Sequence, residues 1–232
     1  MMSAMPKKLA VALHVYNGRL AIQEQVDAWA TLSHLQTEVM EFLVADDCSS
    51  MPLELRSYGL PLRLFRITTD IPWNMAGAKN LLHAKSRAEW LLFFDVDNRA
   101  DPALLAHLAN QVDQLDANTI YMFPWILGGE EQEQPHINTF LIHRGTLDRM
   151  GGFDEDFCGH YGYEDVLFHH VAQRMGIARV LMRGIPFVAA IGATEGLSRD
   201  AVRNQALANA KASQPDYQVG PKLRFHWQEV PL

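Results

Sequence analysis

The stretch WLLFFDVDNRADP, Trp90 to Pro102, decides how the chain is read. Five apolar residues run straight into two carboxylates, Asp95 and Asp97, two positions apart. A continuous apolar run predicts a strand buried on both faces, as parallel strands are when helices cover the sheet. Side chains at i and i+2 of a strand share a face, so both carboxylates can address one ligand. Their hard oxygens suit Mg²⁺ or Mn²⁺, which keep waters and complete their shells with substrate phosphates. The same pattern also serves as the polar end of a buried strand. Taken alone, it does not choose between the two.

Upstream, strand-like and helix-like segments alternate. KLAVALHVY (8–16) reads as a strand, residues 21–35 as a helix, and EVMEFLVADD (38–47) as a strand ending on Asp46-Asp47. LRLFRITT (62–69) is a further strand and AGAKNLLHAKSRA (76–88) a helix. Asp101-Pro102 supplies an N-cap and a first-turn proline for a helix to about residue 115. Strands alternating with helices predict an α/β, Rossmann-like, mostly parallel sheet flanked by helices. Ligands of such sheets bind beyond the carboxyl ends of the strands, where both acidic pairs fall.

Downstream the pattern is less regular. TIYMFPWI (119–126), INTFLIHR (137–144), ARVLMRGIPFVAA (178–190) and PKLRFHW (221–227) read as strands. GGEEQEQPH (128–136) is a polar, acidic loop, and MGGFDEDFCGHYGY (150–163) is a loop dense in glycine, aromatics and acids. Helices are predicted over 164–176, stopped by Gly176, and over 198–212. No linker or repeat interrupts residues 1–232, so one domain is expected; the family resemblance given below would make residues to about 100 its nucleotide-binding half and those from about 101 its acceptor and catalytic half.

Composition narrows the class. With 232 residues, 48% hydrophobic, the chain can bury a sizeable core. A net charge of −7 and a pI near 5.8, with no basic run, argue against nucleic-acid binding. Cys48 and Cys158 have no metal-ligand spacing and fit a reducing compartment. The N-terminal apolar segment reads as a strand rather than a signal peptide, and no apolar run is long enough to span a bilayer. A cytoplasmic protein, with room for peripheral membrane contact, is expected.

The D-x-D is not an EF-hand loop: Arg99 stands where an oxygen ligand belongs, the turn glycine is missing, and Ala106 replaces the closing glutamate. Phosphohydrolases of the haloacid dehalogenase type also carry D-x-D after an apolar strand, but they have Thr or Val where Arg99 stands.

Five segments in order bear a closer likeness. VALHVYNGR (11–19), EFLVADDCSS (41–50), AGAKNLLHAKSRA (76–88), FFDVDN (93–98) and MGGFDEDFCGHYGYEDVLFHHVAQRMG (150–176) resemble the motifs of family 2-type glycosyltransferases of the GT-A fold. The last resembles the segment shared with galactosyltransferase-like members. The resemblance implies transfer of a sugar from a nucleotide-diphosphate donor, UDP-linked, to a glycan or lipid-linked acceptor. It places Asp47 on the uracil, with Asp46 beside it, and Asn17, Lys79, Asn80 and Tyr163 around the donor. Asp95 would touch ribose or metal, and Asp97 would bind Mn²⁺ or Mg²⁺. Asp165 would be the base that deprotonates the acceptor hydroxyl, with inversion, and Glu164 would hydrogen-bond a sugar. The chemistry is coherent: a cation offsets charge on a leaving diphosphate, and a carboxylate activates a poor hydroxyl nucleophile. Asp165 is equally placed to serve as a first-turn acid favoured by the helix dipole. Tyr161 and Tyr163 could stack on a sugar ring or simply pack. His169-His170 fit no zinc spacing.

Three departures stand out. Lys79 replaces the usual arginine, Cys48 replaces a glycine, and residues 184–198 lack the histidine that often follows the acidic pair as a metal ligand. His226 is the later histidine available for that place. A member that binds nucleotide sugars without catalysis is the alternative.

Overall fold

The computed structural model describes residues 7–132, 134–185, the backbone of 187–189, and 198–232. Strand β1 (Leu9–Val15) leads through Gly18 into α1 (Arg19–Trp29) and the short α2 (His34–Glu38). The latter is closed by a capping box between Ser33 and Gln36. The single helix expected over 21–35 is thus two, since α1 ends at Trp29 and the extended Ser33 caps a new helix. Strands β2 (Met40–Asp47) and β3 (Leu62–Ile67), helix α3 (Met75–Lys85) and strand β4 (Trp90–Phe93) follow. Next come β5 (Asn98–Arg99), α4 (Pro102–Gln111), β6 (Thr119–Met122), β7 (Trp125–Leu127) and β8 (Glu130–Glu131). Strand β9 (Phe140–His143), helices α5 (Arg144–Met150) and α6 (Glu164–Arg174), strands β10 (Ala178–Leu181) and β11 (Phe187–Ala189), helix α7 (Val202–Ala212) and strand β12 (Trp227–Val230) complete the chain.

Eight strands form one sheet in the order β10-β6-β9-β4-β1-β2-β3-β12, and β5, β11, β7 and β8 form a second, smaller one. Pairs among β4, β1, β2 and β3 are parallel. β9 runs antiparallel between β4 and β6, and β12 antiparallel along β3. The fold is thus the α/β, GT-A arrangement, with helices on both faces of a mostly parallel sheet. Strand order reverses between β1 and β4, the point where ligand crevices form.

Alternation along β1 sets the two layers. Leu9, Val11, Leu13 and Val15 face the layer holding Ile22, Val26 and Trp29 of α1. Ala10 and Ala12 face the other layer, against Ala78, Leu81 and Leu82 of α3. Small residues on this face let α3 lie close to the sheet, which brings its polar residues near the carboxyl end.

Three expected strands differ. ARVLMRGIPFVAA divides into β10 and β11, which join different sheets on either side of Gly184 in the left-handed region. TIYMFPWI divides at Pro124, which cannot donate to a ladder. In PKLRFHW only Trp227 is strand, because pairing with β3 begins there.

Candidate functional site

The acidic end of β2 is built in two parts. Asp46 is spent on the fold: it accepts from the backbone N–H of Ser49 at 2.9 Å and of Leu53 at 3.1 Å, and pairs with the Arg66 guanidinium. It therefore holds the loop after β2 and has no free face for a ligand. Asp47 is buried and accepts from Asn74 Nδ2 at 2.9 Å. Burial pushes its carboxyl up to about 7, against the Asn74 hydrogen bond, with Asp46 and Asp70 adding to the rise. Asn17, after β1, is in the left-handed region. Its N–H donates to Ser49 Oγ at 2.9 Å, and its Oδ1 accepts from the Ser50 N–H at 2.9 Å. Asn17 thus ties the end of β1 to the loop after β2.

The D-x-D departs from the expected geometry. β4 ends at Phe93, and Asn98 N–H donates to the Asp95 carbonyl at 2.9 Å, so Asp95 to Asn98 form a tight turn rather than strand. The turn, not the strand pleat, carries both carboxylates. Asp95 Oδ1 is buried with no hydrogen-bond partner among the described residues. Its Oδ2 lies 3.9 Å from His136 Nε2. Burial raises the Asp97 carboxyl, and Asp95 raises it further, while His136 and Arg199 oppose. His136, in the loop between β8 and β9, was missed in the sequence because nothing in GGEEQEQPH distinguishes it from a solvent loop.

The third acidic group opens α6. Tyr163, the residue before the helix, is in the left-handed region, which turns the chain so that Glu164 goes inward. Glu164 is buried, and burial followed by the Asp165 charge pushes it up to about 7, with Lys79 opposing and Asp95 adding. Asp165 is half-buried, and its Oδ1 accepts from the Val166 N–H at 2.7 Å. Lys79, on α3, is 1% exposed. Its Nζ donates to Asn138 Oδ1 at 2.7 Å and lies 5.4 Å from the centre of the Phe153 ring. Its charge also bears on His14 of β1, which burial takes down to about 4 while Asp95 pulls it back up. Lys79 is thus the buried cation between the D-x-D turn and the start of α6.

Three other predicted positions do other work. Asn80 is a tether: its Nδ2 donates to the Phe153 carbonyl at 2.8 Å and to Glu155 Oε1 at 2.9 Å, and its Oδ1 accepts from Phe153 N–H at 2.9 Å. It fixes the loop before α6. Tyr163 packs against the small cluster of Phe157, Leu167 and Ala208. His226 is exposed, just before β12 at the sheet edge, where its carbonyl accepts from Thr68 N–H at 2.8 Å. β12 lies four strand positions from β4, on the order of 19 Å at ordinary strand spacing, so His226 does not reach Asp97. Tyr161 packs edge-on against Trp73, with ring centres 4.7 Å apart. His169 Nε2 meets the Ile137 carbonyl at 3.1 Å, a packing role. A cavity of about 250 Å³ opens behind Asn74, between Cys158 and Arg224, and the acidic pairs do not line it.

Acidic groups thus stand after β2, after β4 and at the start of α6, on an α/β sheet of this order. The profile described as Glycosyl transferase family 2 matches residues 11–184, and the chain belongs to that family. Among solved structures, S. aureus TarS 1–349 in complex with UDP-GlcNAc superposes with a TM-score of 0.65 at 18% identity, covering 81% of this chain and 60% of that one. Mannosyltransferase PcManGT from Pyrobaculum calidifontis, in complex with GDP-Man and Mn²⁺, gives 0.58 at 16% identity, covering 90% and 64%. At these identities the likeness establishes the fold. The chain spans about 60% of the length of the TarS chain it matches. No curated protein matches it.

Proposed function

We propose that the chain transfers a sugar from a nucleotide-diphosphate donor, UDP-linked, to a hydroxyl of a glycan or lipid-linked saccharide, with inversion. The observation that carries this reading is membership of family 2 by a chain whose D-x-D turn follows β4, with Asp95 Oδ1 buried and without a partner among the described residues, and whose α6 opens on Glu164-Asp165. The phosphohydrolase reading falls with family membership.

Asp47 accepts from the base of the donor, since a uracil ring offers one N–H and a buried carboxylate accepts it. Asp95 and Asp97 suit a divalent cation: Asp95 Oδ1 is a buried acceptor without a partner among the described residues, and burial disfavours the charge of Asp97. When bound there, Mn²⁺ or Mg²⁺ would offset charge on the leaving diphosphate. Among the described residues no three His, Cys, Asp or Glu side chains already form a closed metal cluster, which suits an ion completed by phosphate and water. Asp165, half-exposed at the start of α6, takes the proton from the acceptor hydroxyl. Glu164, buried beside it, hydrogen-bonds a sugar hydroxyl and holds the local charge balance with Lys79.

The test is a thermal-shift panel of UDP- and GDP-sugars with and without Mn²⁺, since a ligand of the native state raises its apparent stability. Mn²⁺-dependent stabilisation by a nucleotide sugar, lost in Asp97→Asn, is expected. Asp165→Asn should retain that stabilisation and lose transfer by at least about a hundredfold, the scale of positioned general-base catalysis. Binding without transfer in the unaltered protein would replace this reading with that of a non-catalytic nucleotide-sugar binder.

A further inference from the structure

We infer that the cavity behind Asn74 is a second ligand site, separate from the D-x-D turn and the Glu164-Asp165 pair, and that it takes one neutral saccharide unit. The site itself stands on the cavity and its lining. The choice of a saccharide among neutral, hydroxyl-bearing rings rests on the transfer function proposed above.

Size sets the first limit. The cavity holds about 250 Å³, just under the roughly 300 Å³ at which drug-sized sites begin, so it suits a single ring. Its lining sets the chemistry. Asn74 lines it and is 0% exposed, and Asn74 Oδ1 has no hydrogen-bond partner among the described residues. Its Nδ2 already donates to Asp47 at 2.9 Å, so the amide is not free to turn toward another partner. A buried acceptor left unpaired is costly, and a hydroxyl brought by a ligand satisfies it. Gly77 keeps the space open: a Cβ there would stand 2.2 Å from Asn74 Oδ1 and 2.5 Å from Phe225 Cε1. The charged groups of the lining are already matched. Glu155 accepts from the N–H groups of Leu223 and Arg224 at 2.7 and 3.1 Å. The Arg224 guanidinium lies 2.8 Å from Asp156 and 3.7 Å from Glu155. An anion would therefore meet carboxylates rather than a spare cation. The Cys158 thiol feels the same field: burial pushes it up to about 12, and the charges of Glu155, Asp47 and Glu164 add to the rise against the Gly77 N–H. A neutral ligand is favoured. Ile71 and the buried Phe225 complete the wall with apolar surface, on which the C–H face of a pyranose packs while its hydroxyls donate.

The test is ¹⁵N-correlated NMR of the full chain, titrated with the methyl glycosides of glucose, galactose, mannose and N-acetylglucosamine. Glycerol and inorganic phosphate serve as comparison solutes. At least one glycoside should give saturable shifts of the Asn74 side-chain amide and of the Gly77, Cys158 and Phe225 N–H groups. Ile71→Trp, which fills the cavity from a partly buried position, should abolish those shifts. Asn74→Ala should weaken binding about tenfold or more, the scale of one lost hydrogen bond to a buried group. Unfolding midpoints of both variants are compared with wild type first, and Ile71→Trp decides if Asn74→Ala does not fold. Four results each overturn the site: no saturable shift with any glycoside, equal shifts with glycerol, shifts with phosphate alone, or glycoside shifts that persist in a folded Ile71→Trp. A disaccharide glycoside that binds tighter than its monosaccharide makes the unit part of a glycan chain, and equal affinities make it a free sugar; either supports the site. The nucleotide-sugar thermal shifts, run in parallel, keep the two readings apart. Glycoside binding without them removes the transfer function and leaves a ligand site, whereas thermal shifts without glycoside binding remove this site alone.

Discussion

Glu164 and Asp47 are carboxyls that the fold makes reluctant to ionise, and their pH dependence follows. Glu164 has a folded pKa of about 7 against an ordinary 4.5, so between those values the native state holds a proton that the unfolded chain releases. Its contribution to stability is complete below about 4.5 and is lost as pH rises through about 7. In the ligand-free protein Glu164→Gln should therefore stabilise at pH 8 relative to pH 5, by up to about 3 kcal/mol. Denaturant unfolding at the two pH values checks this, and equal effects at both would remove the buried-charge account. His14 and His83 act in the opposite sense. Both are held down to about 4, so stability rises with pH between there and 6.5 and offsets the carboxyls. The wild-type profile is a sum of these, and the variant-minus-wild-type difference is the readout. Lys79 belongs to the same balance. Lys79→Met should cost more stability at pH 8 than at pH 5, and Glu164→Gln should suppress part of that excess, a coupling a double-mutant cycle measures.

At the scale of elements, the loop between α5 and α6 is positioned by α3. Asn80 reaches from the helix to three groups of this loop. Asn80→Ala should cost about 2–4 kcal/mol, because it leaves buried backbone groups of Phe153 and a Glu155 oxygen without their partner. The same tether makes Gly152 irreplaceable. Its backbone is left-handed at φ +82°, and a Cβ there would stand 2.6 Å from Asn80 Oδ1. Gly152→Ala should destabilise by a comparable amount and, by shifting the start of α6, lower transfer beyond what instability explains. Unfolding midpoints and activity measured at a temperature where both forms are folded separate the two effects.

Across the whole molecule, the C-terminal segment closes the site's support. Backbone N–H groups of Leu223 and Arg224 donate to Glu155 at 2.7 and 3.1 Å, and β12 covers the edge of β3. Deleting residues 220–232 should bare that edge and release Glu155. A lower melting temperature, by about 2–4 °C per kcal/mol lost, and faster amide exchange in β3 are expected. Unchanged exchange in β3 would show that β12 adds little to the sheet.

The sequence determined the parallel core and the acidic ends of its runs, because buried strands write continuous apolar runs and the acids interrupt them. Its order of motifs also sufficed for the family. What it left open was decided by contacts distant in the chain. Asp46 and Asn80 look like ligand residues in a motif, yet Arg66, Leu53 and Phe153 claim them across the fold. His226 is the right residue type in the right order, but pairing of β12 with β3 carries it to the far edge of the sheet. His136 lies in a stretch with no periodicity at all. Only the antiparallel return of β9 beside β4 swings its loop over Asp95, so its place was settled by tertiary packing and not by any local pattern.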